Sequence, residues 1–121
     1  MEKKATFKII NAKQLKEKID SSENFKLVDV LPKQSFDAQH IPKSINILGS
    51  ELEEKASSEL PNKDEEIIVY CSSKTCQASP NAGKILEGMG YTNIVHFEDG
   101  LAGWQDAGYK FESKGSNKDL E

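Results

Sequence analysis

Arginine is missing altogether; apart from two histidines, every basic residue in the 121-residue chain is a lysine. Two chemistries lose their usual tool with it. Bidentate clamping of a tetrahedral oxyanion relies on the guanidinium fork, and a lysine is a poor geometric substitute. A phosphate-binding nucleic-acid surface normally shows as a basic patch, and a net charge of -4 works against one. Long apolar runs are missing too: none approaches the roughly 20 residues that a bilayer-spanning helix needs. The opening Met-Glu-Lys-Lys-Ala-Thr-Phe has no apolar core of the secretory kind, so the expected location is the cytoplasm. Cysteine is scarce, with 2 residues in one loop, whereas a disulfide-stapled secreted mini-protein spreads more of them along the chain. What is present, 36% hydrophobic and 30% charged residues, suits one soluble domain with a core of its own.

The two cysteines mark the stretch around which the chain is organised. Residues 67–70 form a continuous, β-branched apolar run, as in a strand buried on both faces. A polar loop follows, from Cys71 through Ser72, Ser73, Lys74 and Thr75 to Cys76. Ala78, Ala82, Ile85, Leu86 and Met89 then recur at helical spacing. Ser79 and Pro80 suit the N-cap and first position of that helix, and Gly90 its C-terminal cap. A cysteine set after a strand and before a helix start meets loop amides and a helix dipole that favour an anion, which depresses a thiol's pKa. Cys71 is therefore read as a reactive thiolate rather than an inert core residue.

Elsewhere, helical and extended patterns alternate. Strands are expected at Phe7–Ile10, Phe25–Val30, Ser44–Leu48 and Ile94–Phe97. Asn11 and Gln14 form a capping box before a helix with Ala12, Leu15 and Ile19 on one face. Pro32 opens a short helical segment carrying Phe36; Gly49-Ser50 opens another with Leu52 and Ala56. Leu101 and Trp104 begin a last helix that ends at Ala107-Gly108. Ser113–Glu121 is polar and expected to be disordered. The class is α/β with a mainly parallel sheet, in which sites lie at the carboxyl ends of strands.

Asp29 is read as ending its strand by bonding nearby backbone, His40 as a hydrogen-bonded structural histidine, and His96 as lying on a strand face without a role. Lys74 is either a solvated lysine or the charge that attracts an anionic donor. Ser72, Ser73 and Thr75 either bond a bound sulfur or satisfy the loop, with their amides mattering more than their hydroxyls. Cys76 is either a second sulfur-handling thiol or a small residue closing the loop. An amide cradle need not set two sulfurs in disulfide geometry. Resting Cys71 is therefore expected to be unbonded to Cys76, with Cys76 trapping a sulfenic acid only under excess peroxide. Two cysteines with distant histidines fit a tetrahedral metal site poorly, and no metal is expected.

Taken in order, Val28-Asp29-Val30, Phe36, His40-Ile41-Pro42 and Ile45-Asn46-Ile47, then Val69-Tyr70-Cys71, Leu86, Gly90-Tyr91, Asn93, Gly100-Leu101, Trp104 and Gly108-Tyr109, resemble the rhodanese pattern. The resemblance covers roughly Phe7 to Glu112. It implies a rhodanese-like domain over residues 1–112, built on about five parallel strands with helices on both faces, and sulfurtransferase chemistry with Cys71 carrying the sulfur. Leu31 departs from a frequent arginine, Lys43-Ser44 from a frequent Gly-Ala, and Cys76 from a frequent arginine or threonine at the loop's end. On this reading Cys71 attacks the outer sulfur of thiosulfate or a persulfide, and residues 72–76 bind the donor. A thiol, cyanide or a sulfur-accepting protein then takes the sulfur, with no cofactor, nucleic acid or membrane involved. A non-catalytic sulfur carrier or redox-sensing module working through a partner is the alternative. A phosphatase or arsenate reductase is a weaker third, because its loop would end in arginine.

Overall fold

A computed structural model describes residues 8–21 and 24–113. Five strands form one sheet: β1 (Lys8–Ile9), β2 (Lys26–Asp29), β3 (Ser44–Asn46), β4 (Ile67–Tyr70) and β5 (Ile94–His96), in the order β1-β5-β4-β2-β3. Every pairing is parallel. The helices are α1 (Ala12–Ser21), α2 (Lys33–Ala38), α3 (Leu52–Glu59), α4 (Ala78–Gly88) and α5 (Gly100–Asp106), and α3 is entered through a 3-10 turn at Gly49–Glu51. The expected α/β class with a mainly parallel sheet holds. Apart from β4 the strands are shorter than the expected runs, although flanking residues still bond across the sheet: the Ile10, Val30 and Phe97 amides donate to the His96, Tyr70 and Val69 carbonyls. Phe7 and the tail at 114–121, where disorder was expected, lie outside the described residues.

The sheet sits between two apolar layers. On one face Val28, Val30, Val69 and Cys71 meet Leu52 and Ala56 of α3 and Ala82 and Leu86 of α4. On the other, Leu27, Ile68, Tyr70 and Val95 meet Ala12 and Leu15 of α1 and Trp104 of α5. Strand side chains alternate between faces, so β4 feeds both layers, and its residues 67–70 are wholly buried. Burying each large apolar side chain contributes about 1.5–3 kcal/mol. The capping box is formed in both directions: Asn11 N–H donates to Gln14 Oε1 at 2.9 Å, and Gln14 N–H to Asn11 Oδ1 at 2.8 Å. Among the described residues no helix is long and apolar enough to cross a membrane.

Two local features tie the chain near its ends. His40 stacks on Phe36, with ring centroids 3.9 Å apart, and its Nδ1 lies 2.6 Å from the Phe36 carbonyl. His40 and Glu112 form an antiparallel bridge. This is the structural role expected of His40. Lys43, where glycine is frequent in the family resembled, adopts φ 74°, a region that costs a side-chain-bearing residue energy.

Candidate active site

β4 ends at Tyr70, and Cys71 follows with 1% of its surface exposed. The loop is fastened at this end. The Leu101 and Ala102 amides, in the first turn of α5, donate to the Cys71 and Ser72 carbonyls at 3.0 and 2.9 Å. Gly100 stands against the same backbone at φ 62°, and a Cβ there would collide with the Cys71 carbonyl and the Ser72–Ser73 peptide. Only glycine suits such a conformation and approach. Further on, the Cys76 amide donates to the Ser73 carbonyl at 3.1 Å and closes a turn. Among the described residues the amides of Ser72, Ser73, Lys74 and Thr75 have no backbone acceptor, which leaves them available to an anion.

That turn brings the loop's ends together. Cys71 and Cys76 are joined as a disulfide, with Cα atoms 6.4 Å apart. This corrects the expectation of an unbonded resting Cys71. The reason is local: the Ser73–Cys76 turn and a helix that starts at Ala78 draw Cys76 back over Cys71. The Cα separation falls within the range of about 4.4–6.8 Å that a disulfide accepts.

Ser79 is not the cap. The N-cap of α4 is Gln77, and Ser79 lies inside the first turn, buried. Its Oγ is 3.4 Å from Cys71 Sγ and 2.6 Å from His96 Nε2. His96, at the end of β5, is 8% exposed. It lies on a strand as expected, but it is not isolated there, because its ring bonds the hydroxyl that adjoins the Cys71 sulfur. β5 pairs with β4 in a register that sets His96 beside Val69, two residues before Cys71. The warning sign in the sequence was a polar residue inside the otherwise apolar run 94–97, since a buried polar group needs a partner.

A hydroxyl has one hydrogen to give. A thiolate or disulfide sulfur has none, so next to either one Ser79 is the donor to sulfur and accepts from His96 Nε2–H. Next to a thiol the chain can reverse, with S–H donating to Ser79 and Ser79 to the ring. The hydrogen-bond direction is thus coupled to the protonation of Cys71. Burial pushes the His96 pKa down, partly opposed by the Glu98 charge, and this favours a neutral imidazole.

The other expected residues lie where the sequence put them, with additions. Ser73 and Thr75 hydroxyls are 3.2 Å apart and bond each other, and Ser72 is exposed. Lys74 Nζ is 3.7 Å from Asp99 Oδ1, so the charge in the loop has an acidic neighbour that the sequence did not reveal. Ser73, Lys74, Thr75 and Asp99 line a hollow of about 670 Å³ on the loop's outer side. Asp29 is buried and ends its strand as expected, with Oδ1 accepting from the Leu31 amide at 2.9 Å. Burial, its largest influence, raises the Asp29 pKa.

The rhodanese-like domain family matches residues 11–107. The chain belongs to that family. It is 32% identical over 98 residues to the putative sulfurtransferase YtwF of Bacillus subtilis, covering 81% of this chain and 90% of that protein. It is 28% identical over 95 residues to the putative sulfur carrier protein YrkF of the same organism, covering 78% of this chain and 49% of YrkF. A crystal structure of thiosulfate sulfurtransferase from Pseudomonas aeruginosa superposes with a TM-score of 0.81 at 23% identity, over 89% of this chain and 20% of that one. The chain spans 35% and 49% of the length of two of the curated relatives it matches.

Proposed function

We propose that this domain moves a sulfane sulfur from thiosulfate or a persulfide to a thiol or cyanide acceptor through a persulfide on Cys71. The observation that carries this reading is the buried Cys71 sulfur, with the Ser79 hydroxyl beside it and the amides of residues 72–75 uncommitted in the loop that follows. The dithiol form is the active one. Its Cys71 thiolate attacks the outer sulfur of thiosulfate, a new S–S bond forms, and sulfite leaves with the electron pair of the broken bond. The loop amides bear the negative charge of the terminal persulfide sulfur, and Ser79 donates to Cys71 Sγ. The acceptor then attacks that terminal sulfur and returns Cys71 as a thiolate. Residues 72–76 meet the donor, no cofactor takes part, and the cytoplasm supplies both the donor and the thiols. A sulfur-accepting protein is a further candidate acceptor.

The test is mass spectrometry of the intact, reduced protein after thiosulfate treatment. The protein should gain one sulfur atom, release sulfite and transfer the sulfur to cyanide. Cys71→Ser should do none of these while keeping the fold, read as an unchanged circular-dichroism spectrum. Full transfer by Cys71→Ser would overturn the mechanism.

A second reading is favoured by the Cys71–Cys76 bond: a sulfur carrier or redox-sensing module that acts through a partner protein. YrkF bears the name of a putative carrier. Loading without multiple turnovers on any small acceptor would select it.

A further inference from the structure

The bond between Cys71 and Cys76 points to a second fate for the bound sulfur. We infer that Cys76 discharges the Cys71 persulfide internally, releasing hydrosulfide and leaving the disulfide that the structure contains. The inference rests on the Cys71 persulfide proposed above. It adds an activity to that reading: reduction of a sulfane sulfur to sulfide, at the expense of an external dithiol.

The geometry supplies the attack. Disulfide formation requires Cys76 Sγ to reach Cys71 Sγ, and the loop permits this contact with its backbone folded. In a persulfide, Cys71 Sγ is the inner sulfur. The Cys76 thiolate attacks that atom, the Cys76–Cys71 sulfur bond forms, and the bond from Cys71 Sγ to the terminal sulfur breaks. The electron pair leaves on the terminal sulfur, which departs as hydrosulfide. The sulfane sulfur is reduced and the two cysteines are oxidised. A dithiol reductant then attacks the protein disulfide, restores both thiols and becomes a cyclic or protein disulfide itself. Atoms and electrons balance without a metal or nucleotide.

Cys76 also decides between the two fates. It is half-buried in the loop just before the N-cap of α4, whereas Cys71 is 1% exposed. An outside acceptor must reach the terminal sulfur before Cys76 reaches the inner one. Acceptors that are scarce or slow lose this race to a tethered thiol. The disulfide that results covers the reactive sulfur, so loading stops until a dithiol arrives.

The experiment is a single turnover. Reduced protein, freed of reductant, is mixed with one equivalent of thiosulfate, and sulfite, sulfide and intact mass are followed. Wild type should release sulfite and sulfide in equal amounts and end lacking two hydrogens relative to the dithiol. Cys76→Ser, and Cys76→Ala as a second variant, whatever their rate of loading, should keep the extra sulfur once sulfite has been released, with sulfide appearing from the loaded protein at least about ten-fold more slowly than in wild type. Retention of the extra sulfur by wild type overturns the inference and leaves the persulfide reading intact. So does sulfide release by both variants at the wild-type rate, or a peptide map that finds the extra sulfur on Cys76. Absence of sulfite overturns the persulfide reading, and this inference with it.

Discussion

His40 and His96 look alike by the usual measures. Each is 8% exposed, and each has a ring nitrogen 2.6 Å from an oxygen. The oxygen is what differs. His40 meets the backbone carbonyl of Phe36, which has no hydrogen to give and cannot change role. His96 meets the hydroxyl of Ser79, which can donate or accept and has the Cys71 sulfur on its other side. One histidine fastens backbone; the other is linked through a hydroxyl to the Cys71 sulfur. Burial and hydrogen-bond length do not tell the two histidines apart, but the chemistry of the partner and of the partner's neighbour does.

Four substitutions sharpen or break this contrast. The largest expected effect lies outside both histidines and sets the scale for packing alone. Trp104→Ala should lower stability by about 3–5 kcal/mol in denaturant unfolding, because the ring is 1% exposed and packs against Phe97 and Tyr109. The reactivity of Cys71 per folded molecule should not change. Next, His40→Ala removes a stacked ring and a bond to Phe36, and should cost about 1–3 kcal/mol, read the same way. If it also slows alkylation of reduced Cys71 in the folded protein, the division between fastening and chemistry fails.

Ser79→Ala should do the reverse. It removes the donor to sulfur, so alkylation of reduced Cys71 at neutral pH should slow about three- to ten-fold, equivalent to about 0.7–1.4 kcal/mol in the thiolate's favour. An unchanged rate across pH would mean that the hydroxyl only fills space. The smallest effect belongs to Lys74→Ala. With Asp99 at 3.7 Å and the lysine 68% exposed, loading from thiosulfate should weaken slightly, more at low salt than at high, and loading from a neutral polysulfane should not. Equal responses to the two donors would remove any steering role for Lys74.

The pH dependence of stability gives a separate reading of His96. Its folded pKa lies below the ordinary value of 6.5, so the unfolded chain binds the proton more readily. Stability is then fully present above about pH 6.5 and is lost as pH falls through the lowered folded value, with a slope of at most about 1.4 kcal/mol per pH unit for this one group. Asp29, with its pKa raised by burial, acts in the opposite sense at lower pH. His96→Leu should therefore flatten the curve just below neutrality and leave the acid limb as it was. An unaltered curve in urea melts across that range would show that the ring titrates normally.

What could be read in the sequence follows the range of the interactions. β4 carries its own signal in four consecutive apolar residues, and the Asn11–Gln14 box needs only residues three apart. Cys71 was legible because a strand, a polar loop and a helix pattern adjoin it. The role of Ser79 was not, because Ser-Pro before a helical pattern describes a cap equally well, and its partner lies 17 residues away on another strand. Nor was the pairing of the cysteines, since it depends on a turn at Ser73 that serine, lysine and threonine do not announce. Asp99 joined Lys74 only because α5 folds back on the loop.

The left-handed Gly100 has a mechanical consequence. It holds α5 so close that the entrance of the loop has no clearance, while two amides grip the Cys71 and Ser72 carbonyls. The loop behaves like a gate hung on one post. Cys71 is the post, and the far end is at Cys76, held by a turn bond to Ser73 and by the disulfide to Cys71. In the mechanism proposed above the donor meets a sulfur on the fixed post, and release of the bond to Cys76 is what admits it.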